Sequence, residues 1–297
     1  MPELPEVETV ARGLQKAIAG RRILTVLLGK TDFIDNPQDV ERELPGRKIR
    51  AVERYGKFLL LQLVRTDSSR EQSALLVHLG MTGMLLPVPT GETHAKHTHV
   101  VMALDDGRDL RYVDPRRFGR MAYLTGERFR KELLRFGADP LEAGLPEFVA
   151  RISGRTARIK ALLLDQKVLR GVGNIYADES LWRAKIHPAR IAARLNKGQM
   201  KLLFASLQKI LQKAIALRGS SISDFLDADG RPGEYQLHHQ VYGREGERCF
   251  RCNSGIRRGI VGGRSSFYCP NCQKAPSGWK ALARKKTKSG TSGKSRH

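Results

Sequence analysis

The four cysteines of this chain are its clearest candidates for metal chemistry. They form two close pairs, Cys249-x-x-Cys252 and Cys269-x-x-Cys272, and the 297-residue sequence contains no others. Each pair offers two thiolates from one turn, and two such turns complete a tetrahedron around Zn²⁺. Two disulfides are the alternative, but the reducing cytosol in which we expect this protein disfavours them. Four sulfur ligands leave no open coordination position, so the sequence predicts one structural zinc ion per chain.

The amino terminus offers a second reactive group. Pro2 is small enough for Met1 to be removed, which would leave a secondary amine directly before Glu3. An α-amino group titrates near ~7.7–8, and a helix N-terminus disfavours its positive charge further. A neutral amine attacks an electrophilic carbon such as the C1′ of a sugar, with Glu3 and Glu6 as proton-transfer partners. Proline and glutamate are also common at helix starts, and taken alone the pattern favours that structural role.

The composition indicates what such groups would act on. The chain carries 53 Lys+Arg against 30 Asp+Glu, a net charge of +23. Residues 1–130 hold 21 basic and 17 acidic side chains, whereas residues 131–297 hold 32 and 13. This field favours a polyanion, of which nucleic acid is the commonest, with an anionic membrane surface as the alternative. The sequence has no apolar run of about 18 residues and no basic-then-apolar leader, so we expect no membrane span and a cytoplasmic protein.

Hydrophobic patterns and turn residues outline the elements that must position these groups. Apolar residues at helical spacing predict a leading helix that ends at Gly20. From about Glu127 the pattern is helical, and residues 218–240 form a long loop rich in Gly, Ser, Asp and His. The predicted strands are 23–28, 48–55, 58–64, 74–79, 99–104 and 109–113, and the clearest later helices are 159–164, 177–184 and 200–217. The predicted class is α+β, beginning with a β-sandwich or a barrel-like domain.

The resemblance to a known family rests on several motifs. The first nine residues, Met-Pro-Glu-Leu-Pro-Glu-Val-Glu-Thr, the paired cysteines and the motifs between them resemble the bacterial formamidopyrimidine-DNA glycosylases. The resemblance runs from Pro2 to Cys272 and leaves out only the basic tail. Leu4, with Val7 and Glu8, is more similar to the oxidised-purine branch than to the endonuclease VIII branch, which typically has Gly at that position.

The resemblance implies a division into four parts. These are an N-terminal catalytic β-sandwich domain with a leading helix at 1–130, and a helix–two-turn–helix DNA-binding domain at 131–240. A four-cysteine zinc finger with a β-hairpin follows at 241–275, and a basic, disordered tail at 276–297. The tail has a role in non-specific DNA affinity or is simply a solvated chain end.

Four catalytic residues follow from the same resemblance. In proteins of this type Pro2 would be the Schiff-base nucleophile and Glu3 its acid–base partner. Lys57, in the segment Arg-Tyr-Gly-Lys-Phe, matches the lysine implicated in β-elimination, with a solvated strand-end lysine as the alternative. Arg264, in Gly-Arg-Ser-Ser-Phe-Tyr-Cys, matches the finger arginine implicated in δ-elimination and phosphate contact. The fixed fork of a guanidinium suits a phosphate.

Two loops resemble those that extrude the damaged nucleotide. The turn His-Leu-Gly-Met-Thr-Gly supplies Met81, and the loop Asp-Pro-Arg-Arg-Phe-Gly supplies Arg116 and Phe118. A thioether and an aromatic ring can fill the stack that an absent base leaves, and Arg116 can hydrogen-bond to the orphaned partner base. Core or turn packing is the alternative for each. His97 resembles a further DNA-contacting position, with an ordinary surface histidine as the alternative.

A third DNA-contacting segment resembles the family's helix–two-turn–helix. Gly171 and Gly173 would let the backbone approach a phosphate, although a glycine also serves as a helix stop. Asn174 would open a helix whose amides point at that anion, and Lys160 would add charge. Glu6 is assigned to the same set of DNA-binding residues.

The resemblance therefore implies a monomeric, bifunctional DNA glycosylase and AP lyase. Its substrate would be damaged double-stranded DNA that contains oxidised purines such as 8-oxoguanine and formamidopyrimidines. The expected order is base flipping, attack by the Pro2 amine, iminium formation, then β- and δ-elimination. The loop at 218–240 would enclose the flipped base, but Arg218-Gly-Ser-Ser221 stands where many relatives have two glycines. The alternatives are an endonuclease VIII-like glycosylase for oxidised pyrimidines and a non-catalytic zinc-ribbon nucleic-acid-binding protein.

Overall fold

A computed structural model describes residues 1–65, 73–221 and 230–279 of the chain. The helices are α1 (Leu4–Ile18), α2 (Pro37–Glu43), α3 (Gly126–Leu134), α4 (Leu145–Ile152), α5 (Ile159–Leu164), α6 (Asn174–Arg183) and α7 (Lys197–Ala216). The strands are β1 (Ile23–Leu28), β2 (Lys48–Tyr55), β3 (Phe58–Val64), β4 (Ser73–His78), β5 (Met84–Pro89), β6 (Thr98–Leu104), β7 (Arg108–Val113), β8 (Arg120–Thr125), β9 (Arg257–Val261) and β10 (Arg264–Tyr268).

The leading helix α1 forms as its spacing predicts. Its apolar face is almost completely buried, and includes Val7, Val10, Leu14 and Ile18. The helix stops where Gly20 adopts a φ of 87°, a left-handed conformation that favours glycine. α1 packs against both β2 and α7. It therefore joins the strand-rich first part of the chain to the helical second part.

Two antiparallel four-stranded sheets follow α1, with strand orders β1-β6-β7-β5 and β2-β3-β4-β8. Their facing sides share one core, to which Leu61 contributes from one sheet and Leu110 from the other. The six predicted strands are all present within one residue of their expected ends. β5 and β8 are not among the predicted strands. β5 contains Pro87 and Pro89, which interrupt a strand pattern and are tolerated because β5 lies at a sheet edge.

The second half of the chain is helical and ends in a hairpin. The helix predicted at 159–164 is confirmed, whereas the helices predicted at 177–184 and 200–217 each begin three residues earlier, at Asn174 and Lys197. α6 packs between α7 and β10 and is buried along nearly its whole length. β9 and β10 pair in antiparallel fashion, with Val261 opposite Arg264. The predicted α+β class, with a sandwich, a helical region and a C-terminal hairpin, is confirmed.

The predicted tail begins later than expected. Trp279 packs its ring 5.5 Å from that of His187, and the guanidinium carbon of Arg158 lies 4.9 Å from the Trp279 ring centroid. The predicted disorder is therefore wrong for residues 276–279. The rest of the tail, 280–297, lies outside the described residues, as do positions 222–229 of the predicted base-enclosing loop. Among the described residues, no helix has the length and apolar character needed to cross a bilayer.

Candidate active site and metal centre

One cavity of about 680 Å³ lies where the amino terminus, the β2–β3 turn, the start of α6 and the β9–β10 turn meet. Five of the predicted site residues line it, namely Glu3, Lys57, Met81, Asn174 and Arg264. These residues come from the sandwich, the helical region and the hairpin. A second cavity of about 900 Å³, beside Tyr55 and Arg151, contains none of the predicted site residues.

The amino terminus opens into the shared cavity. Met1 lines the cavity, and burial lowers the pKa of its amine, although the carboxylates of Glu3 and Glu6 oppose the shift. The Lys57 ammonium lowers this pKa further. Pro2 is buried directly behind Met1. Removal of Met1 would leave a Pro2 amine one residue further in, where the same surroundings favour the neutral, nucleophilic form.

Glu3 is buried and binds the amino end of α6. Its Oε1 accepts a hydrogen bond from the Ile175 amide at 3.0 Å, and its Oε2 accepts one from the Tyr176 amide at 3.4 Å. The positive end of the helix dipole stabilises a carboxylate at this point. The helix opens at Asn174 as predicted, but the anion at these two amides is the chain's own Glu3 rather than the expected phosphate.

The two glycines before α6 leave space for residues at the amino terminus. A Cβ on Gly173 would lie 2.2 Å from Cδ of Glu3, and a Cβ on Gly171 would lie 2.9 Å from the Leu4 side chain. Gly171 has a φ of 94°, and its carbonyl oxygen accepts the Leu4 amide hydrogen at 3.0 Å. These glycines make room for the amino-terminal residues, and the expected approach of a phosphate to the same backbone stays a prediction.

Glu6 lies behind Glu3 and connects three separate segments. Its Oε2 accepts from the Glu3 amide at 2.8 Å, and its Oε1 accepts from the Ser220 amide at 2.7 Å. The hydroxyl of Tyr176 also donates to Oε1. Burial, together with the charge of Glu3, raises the pKa of Glu6 to about 7. Glu6 does not line the cavity; it holds α1 to α6 and to the first residues of the predicted base-enclosing loop.

Lys57 and His78 also line the cavity. Lys57 occupies the β2–β3 turn, and burial lowers its pKa while the charge of Glu3 opposes the shift. His78 ends β4, and its Nδ1 accepts the Gly80 amide hydrogen at 3.1 Å. Burial lowers the pKa of His78 to about 4, with a further contribution from Lys57. The ring is therefore neutral and can donate from its other nitrogen.

The predicted extrusion residues lie on two loops that touch, and one of them, Met81, also lines the cavity. Met81 is 41 % exposed and Phe118 57 % exposed, and the guanidinium carbon of Arg116 lies 4.5 Å from the Phe118 ring centroid. The two loops touch, because a Cβ on Gly80 would lie 2.6 Å from the Phe118 backbone. Large apolar side chains that are exposed beside a cavity are available to a partner. His97 is exposed as well but does not line the cavity.

The structure corrects the prediction for Lys160. Its side chain is fully buried, and its ammonium lies 2.7 Å from the Asp178 carboxylate. It also donates to the Ser265 carbonyl oxygen at 2.7 Å and to the Ser266 hydroxyl at 2.8 Å. Three interior acceptors leave this ammonium unavailable to a DNA phosphate. Lys160 instead ties β10 to α5 and α6, which holds the hairpin against the helical region.

Arg264 reaches the cavity from the tip of that hairpin. It begins β10 directly after Gly262 and Gly263, whose φ angles of 59° and 71° make the turn tight. Its side chain is exposed and lines the same cavity as the amino terminus. A cation at this position can contact an anionic backbone that enters the cavity.

Other lining residues escaped prediction. Gln166 lines the cavity and fixes the turn before α6, since its Oε1 accepts the Gly171 amide hydrogen at 2.8 Å. Tyr242 lines the cavity too, and burial raises its pKa. His78 stands within the Met81 turn motif, so its position in the sequence was a usable signal. Gln166 and Tyr242 carry no such signal because their spacing matches no chemical pattern.

The four cysteines meet at one point. All four Sγ atoms lie within 4.8 Å of one another, the side chains are free thiols, and the Cys252–Cys269 and Cys249–Cys272 pairs are separated by 3.4 and 4.0 Å. A tetrahedral ion with Zn–S bonds of ~2.3 Å places its sulfur ligands ~3.8 Å apart. These separations fit a metal centre and are far too long for disulfides.

Comparison with known proteins identifies the family. The model of the formamidopyrimidine-DNA glycosylase N-terminal domain matches residues 1–121, and that of the formamidopyrimidine-DNA glycosylase H2TH domain matches residues 136–226. The chain belongs to the formamidopyrimidine-DNA glycosylase family. Family members from Herpetosiphon aurantiacus and Solibacter usitatus are 43 % and 44 % identical to it, and these matches cover 92 % of this chain and 100 % of each relative.

Solved structures of family members have the same fold. The Lactococcus lactis Fpg in complex with abasic-site DNA is similar with a TM-score of 0.83 at 34 % identity. MutM (Fpg) from Thermus thermophilus is similar with a TM-score of 0.79 at 38 % identity. Each match covers 92 % of this chain, and 100 % and 98 % of the two solved chains respectively.

Proposed function

We propose that this family member is a bifunctional DNA glycosylase and AP lyase that excises oxidised purines from double-stranded DNA in base excision repair. The observation that carries the proposal is the convergence of the amino terminus, Glu3, Lys57 and Arg264 on one cavity. The relatives support the substrate class. The Lactococcus lactis Fpg has been solved with DNA that contains an abasic site and with DNA that contains Fapy-dG.

The chemistry begins at the amino terminus. The Pro2 nitrogen attacks C1′ of a flipped nucleotide, loses its proton, and displaces the base as the glycosidic bond breaks. The C1′–O4′ bond then opens with protonation of O4′, which leaves an iminium ion between the enzyme and the ring-opened sugar. Glu3 is the acid–base partner beside this nitrogen. Loss of a C2′ proton then expels the 3′ phosphate in β-elimination, and a second elimination expels the 5′ phosphate. Lys57 and Arg264 stabilise the anionic phosphates as they leave.

The four cysteines hold a zinc ion in this proposal. Bound zinc supplies a closed tetrahedral centre that fixes two turns and takes no part in the reaction. The hairpin needs such support, because its two strands are only five residues long and an isolated hairpin is marginally stable. The thiol cluster thus keeps Arg264 at the cavity.

The distribution of charge is consistent with this division of labour. The large excess of Lys and Arg lies in 131–297, where the helical domain and the finger would bind DNA phosphates. The first 130 residues are nearly balanced and carry the nucleophile and the extrusion loops. We expect the enzyme to act on double-stranded DNA as a monomer in the bacterial cytoplasm.

Borohydride trapping tests the proposal directly. The protein is incubated with duplexes that contain 8-oxoguanine, an oxidised pyrimidine or an abasic site, and the covalent adduct is measured after reduction of the iminium ion. We expect adducts with the 8-oxoguanine and abasic duplexes. Pro2→Gly should lower the trapping rate by about tenfold, because it replaces a secondary amine with a less nucleophilic primary one.

The remaining outcomes separate the alternatives. Preferential trapping on pyrimidine lesions would indicate an endonuclease VIII-like enzyme with the same mechanism. The absence of an adduct with all three duplexes would indicate a non-catalytic nucleic-acid-binding protein. Unchanged kinetics in Pro2→Gly would show that another group is the nucleophile.

A further inference from the structure

A fully buried carboxylate, that of Asp114, lies beneath the two extrusion loops, residues 79–83 and 114–119. Its Oδ1 accepts the Thr82 hydroxyl hydrogen at 2.6 Å and the Arg116 amide hydrogen at 3.2 Å. Its Oδ2 accepts the Gly119 amide hydrogen at 3.1 Å and the Tyr112 hydroxyl hydrogen at 3.1 Å. The two oxygens therefore bind donors from both loops at once.

The backbone of Asp114 connects a third segment to the same point. Its amide donates to the carbonyl oxygen of His97 at 3.1 Å, and its own carbonyl oxygen lies 3.2 Å from Nε2 of His99. His97 is held at a φ of 69°, which is unusual for a side chain larger than glycine. All three segments that are expected to contact DNA in the sandwich domain thus meet at one residue.

The packing around Asp114 leaves little freedom for a different arrangement. A Cβ on Gly83 would lie 2.6 Å from the Tyr112 hydroxyl oxygen, and a Cβ on Gly119 would lie 1.9 Å from it. Together with the contact between Gly80 and Phe118, these approaches place the backbones of both loops against each other. The loops are therefore fitted to one relative position.

The negative charge of Asp114 favours this one relative position of the two loops. Burial opposes its ionisation, yet hydrogen bonds from Thr82, Gly119 and Tyr112 hold the pKa of Asp114 below its usual value. Among the described residues, no Lys or Arg side chain pairs with it within ion-pair distance. A buried anion that is stabilised only by neutral donors loses its stabilisation when one of them moves. A shift of either loop would leave this charge undersatisfied.

We propose that Asp114 is a positioning residue that locks the two extrusion loops together, with Thr82 as the link between them. The lock fixes the separation of Met81 from Arg116 and Phe118, so that these side chains enter the base stack as one rigid unit. The inference rests on the proposed function. It predicts that the lock matters for expelling a paired base and matters much less where the base is already absent.

Thr82→Val is the sharpest test, because it removes the hydroxyl that crosses between the loops and keeps the shape of the side chain. Single-turnover rates are measured for excision of 8-oxoguanine from a fully paired duplex and for cleavage at a preformed abasic site. We expect the excision rate to fall about tenfold, the effect of one lost hydrogen bond to a charged group, with a change of less than about threefold at the abasic site.

Two further variants test whether the Thr82 hydroxyl itself is responsible for the effect. Thr82→Ser retains the hydroxyl and should restore the excision rate. Thr90→Val is the control, because Thr90 donates to the Asp109 carboxylate at 2.9 Å outside the two loops, in a Thr–Asp pair that Arg111 also stabilises. Thr90→Val should leave both rates at the wild-type level.

Three outcomes would overturn the inference while leaving the proposed function intact. These are an equal loss on both substrates, no loss on either, or a failure of Thr82→Ser to restore excision, in each case with a wild-type protein that processes both duplexes. Inactivity of the wild-type protein on both substrates would instead reject the proposed function itself. Asp114→Asn, examined by the same ratio of rates, provides a second variant on the carboxylate.

Discussion

The two sides of the cavity are anchored in different ways. On the amino-terminal side, Glu3 binds an amide 172 positions away in the chain, and Glu6 binds one 214 positions away. On the hairpin side, four thiols no more than 23 positions apart cluster beside the segment that carries Arg264, and Lys160 and Asp178 add long-range contacts to β10. The amino-terminal side thus depends on long-range hydrogen bonds alone, whereas the hairpin side adds a local cluster of sulfur ligands.

The difference determines what can disturb each side. The carboxylate anchor depends on close approach and on protonation, because its oxygens are buried and their donors come from distant segments. The thiol anchor depends on a metal ion and on reduced sulfur. We therefore expect steric and pH changes to act on the amino terminus, and metal removal to act on the finger.

The largest expected effect is on the carboxylate side, from Gly173→Ala. The backbone at Gly173, with a φ of −130° and a ψ of −161°, is extended, and the nearest obstacle to alanine is the Glu3 side chain, whose Cδ would lie 2.2 Å from the added Cβ. Displacement of Glu3 by about 1 Å should lower the excision rate about a hundredfold. Single-turnover excision of 8-oxoguanine measures it.

The matched control is Gly198→Ala. Gly198 is exposed near the start of α7, and the nearest atom to its added Cβ is the Asn196 side-chain oxygen at 3.4 Å. Alanine there should leave activity unchanged and raise helix stability slightly. Full activity in Gly173→Ala would show that Glu3 does not need its place at the end of α6.

Removal of the metal should have a smaller effect, confined at first to the hairpin side. Chelation is expected to lower excision by about tenfold, because Arg264 loses its fixed position while Glu3 and Lys57 keep theirs. Metal content and activity are measured before chelation, after chelation and after addition of Zn²⁺. A fully active protein with far less than one equivalent of metal would contradict a structural role for the thiol cluster.

The smallest expected effect is the pH dependence of the carboxylate anchor. Burial raises the pKa of Glu6 from 4.5 to about 7, so the folded protein holds this proton more tightly than the unfolded chain. The resulting stabilisation is complete below about pH 4.5 and is lost as the pH rises through 7. Relative to Glu6→Gln, the wild-type free energy of unfolding should fall by roughly 1–3 kcal/mol across that window.

Denaturant unfolding of both proteins at pH 4.5 and pH 7.5 measures this difference. Asp178, whose pKa burial also raises to about 7, is present in both proteins and cancels from the comparison. A difference in stability that does not vary with pH would mean that Glu6 keeps one protonation state throughout.

The same contrast between local and long-range contacts explains which features could be predicted from the sequence. The cysteines were predicted from spacing alone, because each pair shares a turn and ligand geometry is local. Six strands and the amphipathic helices were predicted because burial imposes a period on neighbouring residues. β5 was missed since its prolines are typical of loops and are allowed only by the edge position that the sheet gives it.

The residues around the amino terminus show the limit of that approach. The motif predicted an anion at the start of α6, but no spacing could indicate that Glu3 would be the anion. Lys160 was assigned to DNA because it stands in the segment that resembles the family's helix–two-turn–helix, whereas its three acceptors lie in α6 and β10. Such partners are set by tertiary packing, which a local pattern does not contain.

Helix α6 has a consequence for how this protein can tolerate sequence change. Nine of its ten residues are buried, and it holds four other parts of the chain. Its first amides bind Glu3, Asp178 accepts the Phe267 amide hydrogen, Glu179 accepts the amides of 240–242, and Trp182 donates to Cys249. In a saturation scan this stretch should accept almost no replacement except at Arg183. Although α6 is only ~15 Å long, its contacts also restrict which substitutions the four segments bound to it can accept.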